Sequence, residues 1–270
     1  MKVVILAGGY GTRLSELTDR LPKPMVKIGE LPILIHIMKI YSTFGFTDFI
    51  ICLGYKGEII KEYFSHYFLY NSDITFDYSA PNKFTVHNTD LAAWTVTLVD
   101  TGLDTMTGGR IKRVEKYVGQ EDFLLTYGDG LIGDIDINQI VNFHKTHGKM
   151  ATLTATRPGG RFGVLSINEK NSVTEFEEKV EGSKGFVNGG FMVLKPSVFK
   201  LIDGDHSTFE NDPLQTIAKQ RQLMAYKHNG FWYPMDSLRD QQYLERLWVS
   251  GTAPWKVWGE SKSNTMDGDT

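Results

Sequence analysis

The segment that most restricts the fold is the first one. Val3-Val4-Ile5-Leu6-Ala7 is an unbroken apolar run that stops at Gly8-Gly9. A strand without polar alternation has no face to give to water, so it belongs inside a sheet covered on both sides, as parallel strands are. Pro32 then opens a helical pattern in which Ile33, Ile37, Ile40, Tyr41 and Phe44 recur at helical spacing, closed by Gly45. A second strand over Asp48 to Leu53 and a helix from Glu58 to Tyr67 follow. Strand and helix thus alternate from the first residue, and this predicts a doubly wound, Rossmann-like mixed α/β sheet.

Further strands are expected over Ile74–Ser79, Thr95–Asp100, Phe123–Tyr127 and Ala151–Thr156, and helices over Gly109–Tyr117 and Ile137–His147. After Pro158 the chain turns β-rich. Arg161–Asn168 and Ser172–Glu178 read as strands joined by the turn Glu169-Lys170-Asn171. Phe186–Leu194 reads as another strand, Pro196 as the start of a short helix, and Met224–Tyr233 as mostly strand. The closing helix runs over Ser237–Trp248, with Ser237 and Asp240 spaced as a capping box. Residues 80–94 fit no core element and read either as a partner-facing excursion or as a solvated loop. The polar tail from Gly259 to Thr270 is expected to stand outside the fold.

With 270 residues and 41% apolar content, the chain can build one sizeable core. Its net charge of -3 is far from the basic surface of a nucleic-acid binder. Cys52 is the single cysteine, so no intrachain disulfide forms, and its apolar neighbours mark it as a packing residue. No apolar run is long enough to span a membrane, and the first residues enter a strand rather than a signal peptide; a cytoplasmic protein is the expectation. His36, His66, His144 and His147 lie singly or in pairs on expected helices and make no metal set.

The chemistry starts where the first strand ends. Gly8-Gly9-Tyr10-Gly11-Thr12-Arg13-Leu14 lets the backbone turn sharply and aim N–H groups at one point, an arrangement that suits anions. Arg13 offers a planar fork to phosphate oxygens. Downstream, Pro22-Lys23-Pro24 places a compact positive charge on a stiffened chain. The segment is not a P-loop, because Thr12-Arg13 stands after Gly11 where Lys-Ser/Thr is required. Nor is it a dinucleotide fingerprint, because Leu14 stands in place of the third glycine, which argues against a nicotinamide-dependent dehydrogenase.

Leu6 to Lys27 resembles the signature of the sugar-1-phosphate nucleotidyltransferases, and the resemblance extends to about Trp258. Residues 96–102 and 106–110, with Arg161-Phe162-Gly163 and Asn188-Gly189-Gly190, are similar to the branch that joins CTP to glucose 1-phosphate. The resemblance implies one domain over 1–258, with 1–157 mainly for the nucleotide and 158–258 as a smaller, β-rich, sugar-binding portion. It implies Arg13 and Lys23 as catalytic residues. Nucleotide contacts would come from Leu6, Ala7, Gly8, Gly9, Gly11, Thr12, Arg13, Lys23, Thr107, Gly108, Gly109 and Arg110. Gly163, Glu178, Lys179 and Asn188 would hold the sugar phosphate, although Val180 replaces the proline that usually follows the Glu-Lys pair. Arg110 is expected either on nucleotide phosphates, across a subunit boundary included, or in a surface ion pair. A homo-oligomer is also implied, with a hexamer as one candidate, and neither nucleic acid nor membrane as partner.

Asp129 in Gly128-Asp129-Gly130 and Asp236 after Met235 each follow an expected strand, where open α/β sheets bind ligands. By position alone each reads as a Mg²⁺ ligand or as a local residue, a turn former for Asp129 and a helix starter for Asp236. The resemblance puts the metal-binding aspartates at these two positions. Uridylyl and thymidylyl transfer stay open, since no spacing names the base. A nucleotide-sensing homologue without activity is a different reading, against which the retention of Arg13, Lys23, Asp129 and Asp236 speaks.

Overall fold

The computed structural model describes residues 1–14, 18–79, 83–89, 91–157, 164–177 and 185–259. The chain begins with β1 (Val3–Leu6), two short strands β2 (Lys27–Ile28) and β3 (Leu31–Pro32), α1 (Ile33–Thr43), β4 (Asp48–Leu53) and α2 (Gly57–Tyr70). A hairpin of β5 (Ser72–Asp77) and β6 (Lys83–Thr89) follows, then β7 (Thr95–Asp100), α3 (Thr107–Arg113) and α4 (Glu115–Val118). Next come β8 (Phe123–Tyr127), β9 (Gly130–Ile132), α5 (Ile137–His147) and β10 (Ala151–Thr156). The remainder consists of β11 (Val164–Ile167), β12 (Val173–Glu177), β13 (Phe186–Leu194), a 3-10 turn over Pro196–Leu201, α6 (Asp212–Lys219), β14 (Leu223–Lys227), β15 (Trp232–Pro234) and α7 (Leu238–Val249).

The main sheet has the order β12-β11-β13-β8-β1-β4-β7, with β10 and then β14 extending from β13. β8, β1, β4 and β7 run parallel. β13 runs antiparallel to β8, β10 and β11, so one long strand joins the parallel half of the sheet to the β-rich half. The apolar run of β1 is buried on both faces, as its lack of alternation requires. Val3 and Ile5 join Phe49, Ile51 and the buried residues of α1 in one core. Val4, Leu6, Ile50 and Cys52 join Ile111, Phe199 and Phe209 in the other.

Six expected elements, β4, β7, β8, β10, β13 and α5, have the bounds that the pattern indicates. The turn at 169–171 also forms: Asn168 Oδ1 accepts from the amides of Lys170 and Ser172, both at 3.0 Å, and Asn171 adopts φ +59°. Three expectations are corrected, and one further helix is added. The helix expected over 109–117 starts at Thr107 and breaks at Val114 into α3 and α4, because Val114 leaves helical geometry (φ -98°, ψ 2°). The strand expected over 224–233 is two strands in different sheets: β14 pairs with β10, and after the reversal at Asn229-Gly230 β15 pairs with β9. Within 80–94, Lys83–Thr89 is not a loop but the second strand of a hairpin, since β6 pairs with β5 over six register positions. α6 was not anticipated, although Pro213 at its first turn and the buried Leu214, Ile217 and Ala218 give it a helical start and an apolar face. Residues 158–163, 178–184 and the tail from 260 lie outside the described residues.

Candidate active site at the carboxyl ends of the parallel strands

A cleft of about 570 Å³ opens where β1 and β8 end, lined by residues 6–12, Lys23, Pro24, 103–107, Arg110, 127–129 and Asp236. Its location is the one that a parallel open sheet favours, because the strand ends leave a crevice there. The glycine loop continues the ladder before turning: Ala7 N donates to Cys52 O at 3.0 Å and Tyr55 N donates to Gly8 O at 3.1 Å. Gly8 has no room for a side chain, since a Cβ would stand 2.2 Å from Arg110 Nη1 and 2.9 Å from Gly54 N. Gly11 takes φ +66°, a conformation that a β-carbon disfavours, and its carbonyl accepts from Leu14 N at 2.9 Å. Across the mouth, Tyr10 Oη donates to Asp104 Oδ1 at 2.8 Å, a strap that the sequence does not announce.

Pro22, Lys23 and Pro24 build a 3-10 turn over Lys23–Met25, with Pro22 extended at ψ 144° before it. Pro24 is buried against Gly128, where a Cβ would come within 3.1 Å of the proline ring. That contact seats Lys23 beside Asp129. Lys23 Nζ lies 2.7 Å from Asp129 Oδ2 and 2.7 Å from Asp236 Oδ1. The side chains are 11%, 31% and 21% exposed respectively, so this triad is only partly shielded from water. Burial alone would lower the Lys23 pKa, but the two carboxylates outweigh it and hold the ammonium above its usual range.

Each carboxylate is set by its backbone. Asp129 lies two positions past the end of β8, and its carbonyl accepts from Met235 N at 2.9 Å, which ties the two acidic segments together. Ser237, not Asp236, is the N-cap of α7, and the expected capping box is present with Asp240. Asp240 Oδ2 accepts from the amides of Asp236 and Ser237 at 3.0 and 2.8 Å, so the helix start also aims Asp236 at the cleft. The two acids therefore converge with a cation between them. Paired, partly exposed carboxylates match the donor set that Mg²⁺ takes alongside substrate phosphates. Among the described residues no larger group of His, Cys, Asp and Glu gathers that could hold a metal.

Arg110 is buried and, among the described residues, forms no ion pair, which corrects the surface ion-pair alternative. It is 4% exposed, and Nη1 donates to Leu53 O at 3.0 Å, Thr101 Oγ1 at 2.8 Å and Gly102 O at 2.7 Å. Nη2 donates to Leu103 O at 3.1 Å. Burial lowers its pKa from the ordinary value. The guanidinium thus pins the loops after β4 and β7 beneath the glycine loop and brings a positive charge to the cleft wall. Of its neighbours, Thr107 lines the cleft, whereas Gly108 and Gly109 direct their amides to Ser207 O at 2.9 and 3.3 Å. These two glycines serve close packing against residues 205–207, where a Cβ would come within 2.7 Å of backbone atoms.

Asn188 lies on β13, and its Oδ1 accepts from Gly190 N at 2.9 Å. Thr12 lines the cleft, and Arg13 lies in the 3-10 turn Thr12–Leu14, with its side chain outside the description. Gly163, Glu178 and Lys179 lie outside the described residues. Of the remaining reactive types, Cys52 is buried and its thiol is pushed up to about 12 by desolvation, which makes it an inert core residue. His36 and His144 are fully buried and bond to Ile28 O and Thr152 Oγ1 at 2.9 and 2.8 Å, so they serve packing. No helix among the described residues is long and apolar enough to cross a membrane.

A cleft at parallel strand ends, a glycine loop, a proline-braced lysine and two convergent aspartates define a phosphate-handling enzyme site. The chain belongs to the nucleotidyl transferase family, whose model matches residues 2–241. It is 59% identical over 259 residues to the glucose-1-phosphate cytidylyltransferase of Salmonella typhi, covering 96% of this chain and 100% of that protein. It is 29% identical over 247 residues to the mannose-1-phosphate guanyltransferase of Candida albicans, covering 89% of this chain and 62% of that one. In three dimensions it resembles the crystal structure of a UDP-glucose pyrophosphorylase complexed with UDP-glucose, with a TM-score of 0.72 at 19% identity, covering 93% and 98% of the two chains. Proteins named for different bases share this architecture, so the fold does not choose the base.

Proposed function

We propose that the chain transfers the cytidylyl group of CTP to α-D-glucose 1-phosphate, giving CDP-glucose and pyrophosphate. The observation that carries the reading is the convergence of Lys23, Asp129 and Asp236 beside the glycine loop, in a chain 59% identical to a glucose-1-phosphate cytidylyltransferase along that protein's whole length. No protein nucleophile is needed. A sugar phosphate is mostly dianionic at neutral pH, and one of its oxygens attacks the α-phosphorus in line. The new P–O bond forms as the bond to the bridging oxygen breaks, and pyrophosphate leaves with the electron pair. The obstacle is repulsion between two polyanions, so the protein's task is positioning and charge neutralisation. Asp129 and Asp236 would hold Mg²⁺, which supplies positive charge to the triphosphate oxygens. Lys23, Arg13 and the backbone of residues 8–12 hold the phosphates, and Arg110 keeps the loop beneath them in place. Gly163, Glu178, Lys179 and Asn188 make up the sugar half of the reading.

A homo-oligomer belongs to the same proposal. The β5–β6 hairpin supports it by exposing Phe76, Tyr78 and Phe84 at 48%, 95% and 51%, more aromatic surface than water tolerates cheaply. Sedimentation velocity tests that part. The activity is tested by offering CTP, UTP, dTTP, ATP and GTP, each with glucose 1-phosphate and Mg²⁺, while following pyrophosphate release. Preference for CTP is the expected result, and preference for a purine nucleotide overturns the assignment.

A further inference from the structure

Glu210 lies between β13 and α6, outside the motifs that point to phosphate chemistry, and is not among the residues lining the cleft. Its carboxylate nonetheless reaches two that are. Oε1 accepts from the Tyr127 hydroxyl, and Oε2 accepts from Thr107 Oγ1 at 2.6 Å. Thr107 Oγ1 in turn accepts from Phe209 N at 2.9 Å, so the segment holding Glu210 grips the start of α3 twice. Phe209 is fully buried, which anchors that segment to the core.

The two residues gripped line the cleft from different elements, Tyr127 from β8 and Thr107 from α3. Tyr127 is the last residue of β8, two positions before Asp129. Its ring lies against Gly190, whose φ is +80° and whose absent Cβ would stand 2.6 Å from Tyr127 Cδ2. Thr107 opens the helix that carries Arg110. One side chain therefore ties the strand end two positions before Asp129 to the helix bearing the buried Arg110. Hydrogen bonds to a carboxylate are shorter and stronger than neutral ones, and a carboxylate only accepts, so both hydroxyls must turn their protons toward it.

We infer that Glu210 is a positioning residue for the nucleotide, a clamp that sets the width of the cleft by tying Tyr127 to Thr107. It touches no reacting atom in this arrangement and acts through those two side chains. The inference rests on the cleft being the nucleotide site, and CTP binding to the wild-type protein, measured by calorimetry, tests that premise separately. Glu210→Ala is expected to weaken CTP binding about tenfold, equivalent to ~1.4 kcal/mol. KM should rise with it while kcat stays within about threefold, because a width-setting clamp serves ground and transition states alike. Glu210→Gln keeps one acceptor and loses the other, and is expected to fall between the two; it also serves if Glu210→Ala fails to fold. A merely structural Glu210 would lower thermal stability without moving the KM-to-kcat split. The decisive measurement is the effect of Glu210→Gln in a Thr107→Val, Tyr127→Phe background, where the clamp has nothing left to hold and the effect should vanish. CTP binding unchanged in folded Glu210→Gln, or an equal loss in both backgrounds, overturns the inference.

Discussion

Lys23 stands where the two carboxylates of Asp129 and Asp236 meet, and replacing it gives the most direct reading of that pair. In the structure its ammonium bonds both carboxylates at 2.7 Å. A divalent cation taken up by the same oxygens must compete with it. Hydrogen bonds to charged groups contribute about 1.5–3 kcal/mol each, and the partial exposure of all three side chains argues for the lower end. Two such bonds give about 3 kcal/mol, which at ~1.4 kcal/mol per tenfold step is roughly 100-fold in affinity. Lys23→Met keeps the length and the apolar stem while removing the charge. Mn²⁺, a paramagnetic stand-in for Mg²⁺, is titrated into the nucleotide-free protein, with free Mn²⁺ read by electron paramagnetic resonance. The variant is expected to bind Mn²⁺ about 100-fold more tightly than wild type, and Asp129→Asn to bind it more weakly than either. Equal Mn²⁺ affinity in wild type and a folded Lys23→Met protein would refute the competition, and with it the assignment of these oxygens to a metal.

Lys23→Ala and Asp129→Asn are each expected to lose ~100-fold in turnover while staying folded, the usual loss when one charge that stabilises the transition state is removed. Near wild-type pyrophosphate release from either purified variant would remove that residue from the mechanism. Gly8→Ala places a methyl 2.2 Å from Arg110 Nη1 and should weaken CTP binding at least about tenfold; an alanine variant with normal affinity would show that the loop has slack. Desolvation lowers the His36 pKa to about 4, so between that value and about 6.5 the unfolded chain binds a proton that the folded chain does not. The stability due to neutral His36 is complete above pH ~6.5 and is lost as pH falls through about 4, with a total on the order of 3 kcal/mol. Urea melts at pH 7 and pH 4.5 measure it, and a His36→Gln protein with the same pH dependence as wild type would contradict it.

The parallel half of the sheet was legible because its strands are buried on both faces and carry their burial in plain sequence. Val3–Leu6 and Asp48–Leu53 have little else to do but pair inside a core. The acid pair and the lysine were legible as candidates for a related reason, since glycines and prolines around them announce backbone geometry. The split of 224–233 was not legible, because it depends on what the following residues pair with, and β15 pairs with β9 about a hundred positions earlier.

Sequence by itself determined which residues could handle phosphate: the glycines that let the chain turn, the lysine stiffened by prolines, and the aspartates at strand ends. Tertiary structure alone decided what they do to one another. Lys23 meets acids 106 and 213 positions away, and Arg110 became a buried brace with carbonyl partners. Gly108 and Gly109 pack closely against residues 205–207, while Glu210, which no motif marks, bonds both Tyr127 and Thr107. Periodicity and turn chemistry act over a few residues and can be read locally; distances between charges are set by the closing of the sheet, which the whole chain must complete before any of them exists.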